Sequence, residues 1–211
     1  MKRILVLMAH SSPSQSQVNN RMSAAARQLP GVTFVDLYAL YPRFKIDIDA
    51  EQQRLKEHDV IVFQFPFYWY STPALLKEWQ DLVLEFGFAY GPRGDALAGK
   101  SCLVAITTGG AESAYSIHGS NHFSIRTLLT PLEQTARLCQ MRFLPPLVLF
   151  SAVTASSDGR TERHVQTYSR LLEALRDEQL DLPAAFRQRL LSETELPLLE
   201  TGATSGTQRH G

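Results

Sequence analysis

Four consecutive aromatic residues, Phe67, Tyr68, Trp69 and Tyr70, are the strongest candidates for ligand binding in this sequence. They follow an apolar run and cannot all point inward, because neither a strand nor a helix directs successive side chains to one side. Some of them must therefore line a cleft. Aromatic rings there suit a flat, conjugated ligand, which gains from stacking and from exclusion of water. The alternative is an aromatic corner that packs on the next helix or on a partner subunit.

A second candidate segment combines hydroxyls with glycines, in the residues Thr107, Thr108, Gly109 and Gly110. Glycine allows the main chain to approach a ligand closely and to turn its N–H groups toward it. A flavin ring needs such donors near its N1, O2 and N5 atoms. The alternative is a plain glycine turn after a strand.

The third candidate is a hydroxyl-rich loop after the first apolar run, with His10, Ser11, Ser12, Ser14 and Ser16 and no acidic residue. It leads into a predicted helix, whose free N–H groups and dipole favour an anion, most simply a phosphate. It contains neither a Walker lysine nor G-x-G-x-x-G, so no P-loop or Rossmann site is indicated. The alternative is a turn with an ordinary N-cap at Ser14 or Ser16.

The pattern of elements predicts where these loops lie. We predict strands at residues 4–9, 32–38, 60–65, 101–107 and 147–151, and helices at residues 16–29, 50–57, 71–86, 125–138 and 161–178. Alternating strands and helices predict an α/β fold, a flavodoxin-like doubly wound five-stranded parallel sheet of order 2-1-3-4-5. In that order the loops after strands 1, 3 and 4 meet at one crevice. Their convergence makes a flavin the preferred ligand.

Composition limits the other classes of function. Lys plus Arg and Asp plus Glu number 21 each, so the chain lacks the basic excess that is typical of nucleic-acid binding. We expect two reduced, buried cysteines, Cys102 and Cys139, and no metal site. No apolar run reaches the ~18 residues of a membrane span, so we expect a soluble, cytoplasmic protein.

We expect one flavin-binding domain over residues 1–180 and a partly disordered extension over residues 181–211, with a short helix at 183–192.

The three loops together resemble a known family. The segments on which this resemblance rests are residues 10–13 (HSSP), 16–19 (SQVN), 64–79 (QFPFYWYSTPALLKEW) and 107–110 (TTGG). They are similar to the flavodoxin-like NAD(P)H:quinone oxidoreductases. Within that family, residues 36–48 (DLYALYPRFKIDI) and 87–92 (GFAYGP) resemble the ancillary subunits of glutathione-regulated potassium-efflux antiporters. The resemblance covers roughly residues 2–178 and rests on all three motifs in this order.

The resemblance implies a homodimer with one flavin per subunit, FMN or alternatively FAD, that accepts electrons from NAD(P)H and passes two of them to a quinone. It also implies which residues bind the flavin. His10, Ser16, Gln17, Val18 and Asn19 would bind the ribityl phosphate end. Residues 67–70 and 107–110 would surround the ring.

A tyrosine shortly after the TTGG loop, with a histidine six residues further on, stabilises the reduced flavin in the wider family. Tyr115 matches the tyrosine, whereas position 121 is Asn rather than His. His118 and His122 are nearby substitutes, and we take Tyr115 and His118 as the catalytic candidates. Surface histidines on a loop are the alternative.

Three functions remain in competition. The first is an NAD(P)H-dependent quinone reductase, and the second is a regulatory subunit of a membrane potassium/proton antiporter whose redox activity is dispensable. The second would place the protein at the inner face of the membrane. The third, an electron-carrier flavodoxin, is less favoured because such carriers are usually strongly acidic and this chain is neutral.

Overall fold

The computed structural model describes residues 1–12, 16–191 and 195–200. This part of the chain contains one parallel sheet with six strands: β1 (Ile4–Met8), β2 (Val32–Asp36), β3 (Val60–Pro66), β4 (Ser101–Thr107), β5 (Arg142–Phe143) and β6 (Leu147–Leu149). The strand order is β2-β1-β3-β4-β5, and β6 pairs with β4 further along that strand. The predicted flavodoxin-like order is therefore confirmed.

Helices cover both faces of the sheet. They are α1 (Gln17–Gln28), α2 (Leu37–Leu40), α3 (Ile48–Lys56), α4 (Ala74–Val83), α5 (Ile125–Leu128), α6 (Thr130–Leu138), α7 (Arg160–Arg176) and α8 (Leu182–Arg187). Helices α1 and α7 pack on one face through side chains such as Met22 and Tyr168. Helices α3 and α4 pack on the other through Leu55 and Trp79. Every residue of β1, β3 and β4 is buried, because helices cover the sheet on both faces. These strands are therefore apolar along most of their length.

The register of the sheet brings the ends of its central strands together. Met8 at the end of β1 lies opposite Gln64 of β3, and Pro66 at the end of β3 lies opposite Thr107 at the end of β4. All these strands run in the same direction, so the loops that follow them start at one edge of the sheet. This edge is where the three candidate loops were predicted to meet.

Three predicted elements differ from the structure for local reasons. The second strand ends at Asp36 instead of residue 38, because the Asp36 carboxylate accepts a hydrogen bond from the N–H of Ala39 and caps α2. The helix predicted at 125–138 is two helices, and Pro131 near the start of α6 lacks the N–H that a continuous helix needs. The fifth strand predicted at 147–151 is the shorter β6, and a further short strand, β5, precedes it on the other side of Pro145 and Pro146, which cannot donate to a strand ladder.

The described part of the C-terminal extension packs against the domain. Leu190 and Leu191 are fully buried, and Leu198 forms a backbone bridge with Leu180. The short helix predicted at 183–192 corresponds to α8. Residues 192–194 and 201–211 of the extension predicted to be partly disordered lie outside the described residues. The division at residue 180 stays a prediction. None of the described helices is long and apolar enough to cross a membrane.

Candidate functional site

A cleft of about 340 Å³ opens at the carboxyl ends of β1, β3 and β4. Its volume lies at the lower end of the range that is typical of small-molecule sites. Residues from four loops line it: His10; Ser16, Gln17 and Val18; Pro66, Phe67 and Tyr68; Thr107, Thr108 and Gly109; and Ala152, Val153 and Ser156. The three loops that the sequence singled out therefore share one cleft.

The N-terminus of α1 forms one end of the cleft. Ser16 is the N-cap, and its hydroxyl oxygen accepts a hydrogen bond from the N–H of Asn19 at 3.3 Å. The first turn of α1 contains no acidic residue. Free N–H groups and the helix dipole therefore favour an anion at this end. Ser14, the other N-cap considered, lies outside the described residues.

Asn19 is buried beneath this end of the cleft rather than lining it. Its side-chain Nδ2 donates to the Ser16 hydroxyl and to the Thr107 hydroxyl, each at 3.0 Å. The residue is only 1% exposed. Asn19 therefore connects the phosphate-type loop to the end of β4 from below.

His10 forms the floor of the cleft as a neutral hydrogen-bond donor. The N–H of Ser12 donates to Nδ1 at 3.0 Å, so the neutral ring carries its proton on Nε2, which lies 3.4 Å from the Tyr68 hydroxyl. Burial lowers the pKa of His10 below its usual 6.5, and the charge of Asp36 opposes that shift only in part. His10 thus presents an N–H group near neutral pH, without a fixed positive charge.

The aromatic loop divides between the cleft and the surface. Phe67 and Tyr68 line the cleft, whereas Trp69 is 92% exposed and Tyr70 lies outside the cleft. Trp69 and Tyr70 have positive φ angles of 48° and 62°, which non-glycine residues adopt at a cost. The Tyr70 hydroxyl donates to Asn121 Oδ1 at 3.1 Å. Two of the four aromatic side chains are therefore placed to contact a ligand in this cleft.

The TTGG loop brings main chain to the cleft at Gly109. A Cβ atom added at Gly109 would have no heavy atom within 4 Å, whereas one added at Gly110 would lie 3.3 Å from Cε2 of Tyr115. The Thr108 hydroxyl donates to the Gly110 carbonyl at 2.8 Å and so holds the turn. Gly109 leaves space above the backbone, and Gly110 leaves space for Tyr115.

Tyr115 lies behind the TTGG loop, and His118 is separate from it. The Tyr115 ring is 7% exposed and packs on Phe150 with ring centroids 5.6 Å apart. Burial raises the pKa of Tyr115 above its usual 10, opposed by a hydrogen bond with the Thr108 hydroxyl. The phenol therefore stays protonated and can donate. His118 is exposed, and neither residue lines the cleft.

The fourth wall of the cleft was missed by sequence reasoning. Ala152, Val153 and Ser156 lie on the loop between β6 and α7. The predicted strand order places the fifth strand beside the fourth, so the following loop could have been expected at the same edge. No residue type in this loop marks it as a ligand site.

The residues of the cleft fit a phosphorylated flavin. The helix N-terminus and two hydroxyls lie at one end, two aromatic rings lie along the side, and the Gly109 backbone is open to a flat group. The helix N-terminus suits the phosphate, and the aromatic rings suit the flavin ring. Main-chain N–H donors near Gly109 suit the polar edge of that ring.

A parallel sheet of this order, with a cleft at the end of β1 and β3, defines a flavodoxin-like protein. A family profile described as "Flavodoxin-like fold" matches residues 2–172, and the chain belongs to this family. One relative is a glutathione-regulated potassium-efflux system ancillary protein, KefG, of Pectobacterium carotovorum subsp. carotovorum. It is 52% identical over 150 residues, which are 71% of this chain and 82% of that protein.

Solved structures of similar proteins have the same fold. General stress protein 14 of Treponema denticola in complex with FMN is 38% identical with a TM-score of 0.78, covering 82% of this chain and 99% of that one. An NADPH-quinone reductase from P. pentosaceus is 30% identical with a TM-score of 0.73, covering 80% and 96%. A structure named as a tryptophan halogenase, from Streptomycin violaceusniger, is 44% identical with a TM-score of 0.76, covering 78% and 95%. The neighbours thus carry different activities in their names.

Proposed function

We propose that this protein is an FMN-dependent NAD(P)H:quinone oxidoreductase. The observation that carries the proposal is the cleft itself, which joins the α1 N-terminus, the Phe67 and Tyr68 rings and the open backbone at Gly109. The FMN complex of a 38% identical neighbour and the quinone-reductase name of a 30% identical one support it. FAD is the alternative flavin.

Each part of the cleft has a role in this proposal. The bound flavin supplies two-electron transfer between the nicotinamide donor and the quinone acceptor. Ser16 and the first turn of α1 bind its phosphate, and Phe67 and Tyr68 exclude water from one side of the ring. Tyr115 lies behind the TTGG loop and would act through this loop, by its hydrogen bond with the Thr108 hydroxyl, which lines the cleft. His118 is exposed, and its role as a partner of Tyr115 stays a prediction. The Thr108 hydroxyl is a hydrogen-bond neighbour of Tyr115.

The decisive experiment begins with reconstitution. Purified protein is incubated with FMN or FAD, freed of excess ligand and examined for a flavin absorption spectrum. We expect a stoichiometric FMN spectrum, and the loss of NADH or NADPH absorbance only when a quinone is added. Free FMN with nicotinamide and quinone, without protein, measures the background reaction. A protein that retains neither flavin contradicts the proposal.

A second role is favoured by the KefG relatives. We propose that the protein also acts as an ancillary subunit of a potassium-efflux antiporter, at the inner face of the membrane, since a relative of that name is 52% identical over 71% of this chain. Potassium efflux from cells with the antiporter is measured with and without this protein. Efflux that requires the protein but survives loss of flavin binding would favour the regulatory function with dispensable redox activity.

Homodimer formation belongs to the same proposal. Trp69 is 92% exposed although it is held in a left-handed backbone conformation, so its ring is presented outward at a cost. A second copy of the chain is a natural partner for this surface in a homodimer. Sedimentation of the wild-type protein and of Trp69→Ser measures the oligomeric state, and we expect a dimer that the substitution weakens. A wild-type monomer contradicts this part.

A further inference from the structure

A buried hydrogen-bond network lies directly under the anion end of the cleft. At its upper end, Asn19 Nδ2 donates to the hydroxyl oxygens of Ser16 and Thr107. At its lower end, Gln64 Nε2 donates to the main-chain carbonyl of Asn19 at 3.1 Å, and the Tyr168 hydroxyl donates to Gln64 Oε1 at 3.1 Å. These side chains are between 0% and 5% exposed, apart from Ser16, which borders the cleft.

The direction of the upper hydrogen bonds decides what the cleft offers a ligand. A hydroxyl has one proton to donate and two lone pairs to accept with. The Ser16 oxygen already accepts from the Asn19 amide and from its main-chain N–H. The Ser16 proton is therefore left to point away from Asn19, toward the cleft. Thr107 likewise accepts from Asn19 and keeps its own proton to donate.

The opposite orientation of the Asn19 amide would reverse this arrangement. Its Oδ1 would then accept both hydroxyl protons, and the cleft would present oxygen lone pairs, which repel an anion. In the observed orientation Oδ1 is buried and has no hydrogen-bond partner among the described residues. An unpaired buried acceptor is costly, and this cost accompanies the orientation that leaves the Ser16 proton free for an anion.

We propose that Asn19 is a positioning residue that turns the Ser16 hydroxyl proton toward the phosphate of the cofactor. It does not itself contact the ligand. Gln64, whose amide is oriented by the Asn19 carbonyl and by Tyr168, fixes the first turn of α1 below it. This inference rests on the proposed flavin binding and concerns only the phosphate end.

The test compares two ligands that differ by the phosphate. Dissociation constants for FMN and riboflavin are measured by fluorescence titration of the flavin-free protein. For Asn19→Leu, which has a similar shape but no amide, we expect FMN to bind about tenfold more weakly and riboflavin to bind nearly as well as before. The reason is that the Ser16 hydroxyl is no longer held with its proton toward the charged phosphate. Asn19→Asp, which keeps the shape but accepts both hydroxyl protons, should lose more FMN affinity.

A double-mutant cycle separates positioning from direct contact. In a Ser16→Ala background, Asn19→Leu should have little further effect on FMN, because the residue acts through the missing hydroxyl. Ser23→Ala is the matched control. Ser23 lies one turn further along α1, is 7% exposed and accepts from Gln64 at 3.1 Å, away from both hydroxyls. This variant should keep the wild-type ratio of FMN to riboflavin affinity.

The outcomes distinguish this inference from the proposed function. If the wild-type protein binds FMN but the Asn19 variants weaken FMN and riboflavin equally, or add fully to Ser16→Ala, the positioning role is wrong and the flavin site stands. If Ser23→Ala changes the ratio as much as Asn19→Leu, the effect is general destabilisation and the role is again wrong. A wild-type protein that binds neither ligand overturns both the inference and the function.

Discussion

Protonation of His164 should limit the stability of the fold in mild acid. This histidine lies on α7, is 6% exposed, and its Nε2 has no hydrogen-bond partner within the described residues. Burial alone lowers the pKa of His164 from the usual 6.5 to about 4. The folded protein therefore excludes a proton that the unfolded chain binds readily.

The size of the effect follows from the two pKa values. Between pH 6.5 and about 4 the unfolded chain binds more protons at this position, so the free energy of unfolding falls as the pH decreases. With one pKa unit worth 1.36 kcal/mol, the loss amounts to about 2 kcal/mol between about pH 8 and about pH 5. Below the folded pKa it levels off at about 3 kcal/mol. Such a loss is a large fraction of a typical domain's stability.

Urea unfolding of the flavin-free protein and of His164→Gln, at equal concentrations and at both pH values, measures this difference. Other groups titrate equally in both proteins, so wild type should lose about 2 kcal/mol more than His164→Gln on acidification. His118→Gln is the control, because this side chain is exposed and should leave the wild-type pH dependence unchanged. Equal losses for wild type and His164→Gln would refute the reasoning, and would mean that the folded protein binds a proton at His164 as readily as the unfolded chain does.

Three further substitutions have defined outcomes. Tyr115→Phe should lower NAD(P)H:quinone turnover by roughly tenfold to a hundredfold with little change in the flavin dissociation constant, and equal losses would make Tyr115 a structural residue. Gly109→Ala should leave the melting temperature almost unchanged, since its Cβ meets no atom within 4 Å, but should weaken FMN binding about tenfold. Tyr41→Phe removes the 2.8 Å hydrogen bond to the buried Glu51 carboxylate and should cost roughly 1.5–3 kcal/mol in urea unfolding; no change would mean that water replaces the phenol.

The sequence predicts the sheet well because a strand buried on both faces appears as an uninterrupted run of apolar or small residues. β4 was predicted at its observed bounds, since its neighbours bury it on both sides and seven consecutive positions are apolar or small. The predicted bounds that were wrong depend on single side chains. Asp36 ends β2 by capping a helix, and Pro131 divides a helix whose periodicity continues past it.

The site was predicted in outline but not in detail. Residue types located the loops, and the strand order brought them together. Which aromatic side chain faces the cleft depends on backbone angles in the left-handed region at Trp69 and Tyr70, and no residue-type rule predicts these for non-glycine residues. That Asn19 lies beneath the cleft depends on its contact with Thr107, 88 positions away in the chain.

Gln64 connects the fold and the site energetically. It occupies a position of β3 that is fully buried, opposite Met8 and Ala105, where an unpaired amide would cost several kcal/mol. Its amide donates to two groups of α1 and accepts from Tyr168 of α7. The buried amide is therefore fully paired only when both helices are packed in their observed positions. Its hydrogen bond to the Asn19 carbonyl also fixes the first turn of α1, which forms the anion end of the cleft. A change that relaxes the packing of α7 is therefore expected to weaken phosphate binding, even though α7 contributes no residue to the lining of the cleft.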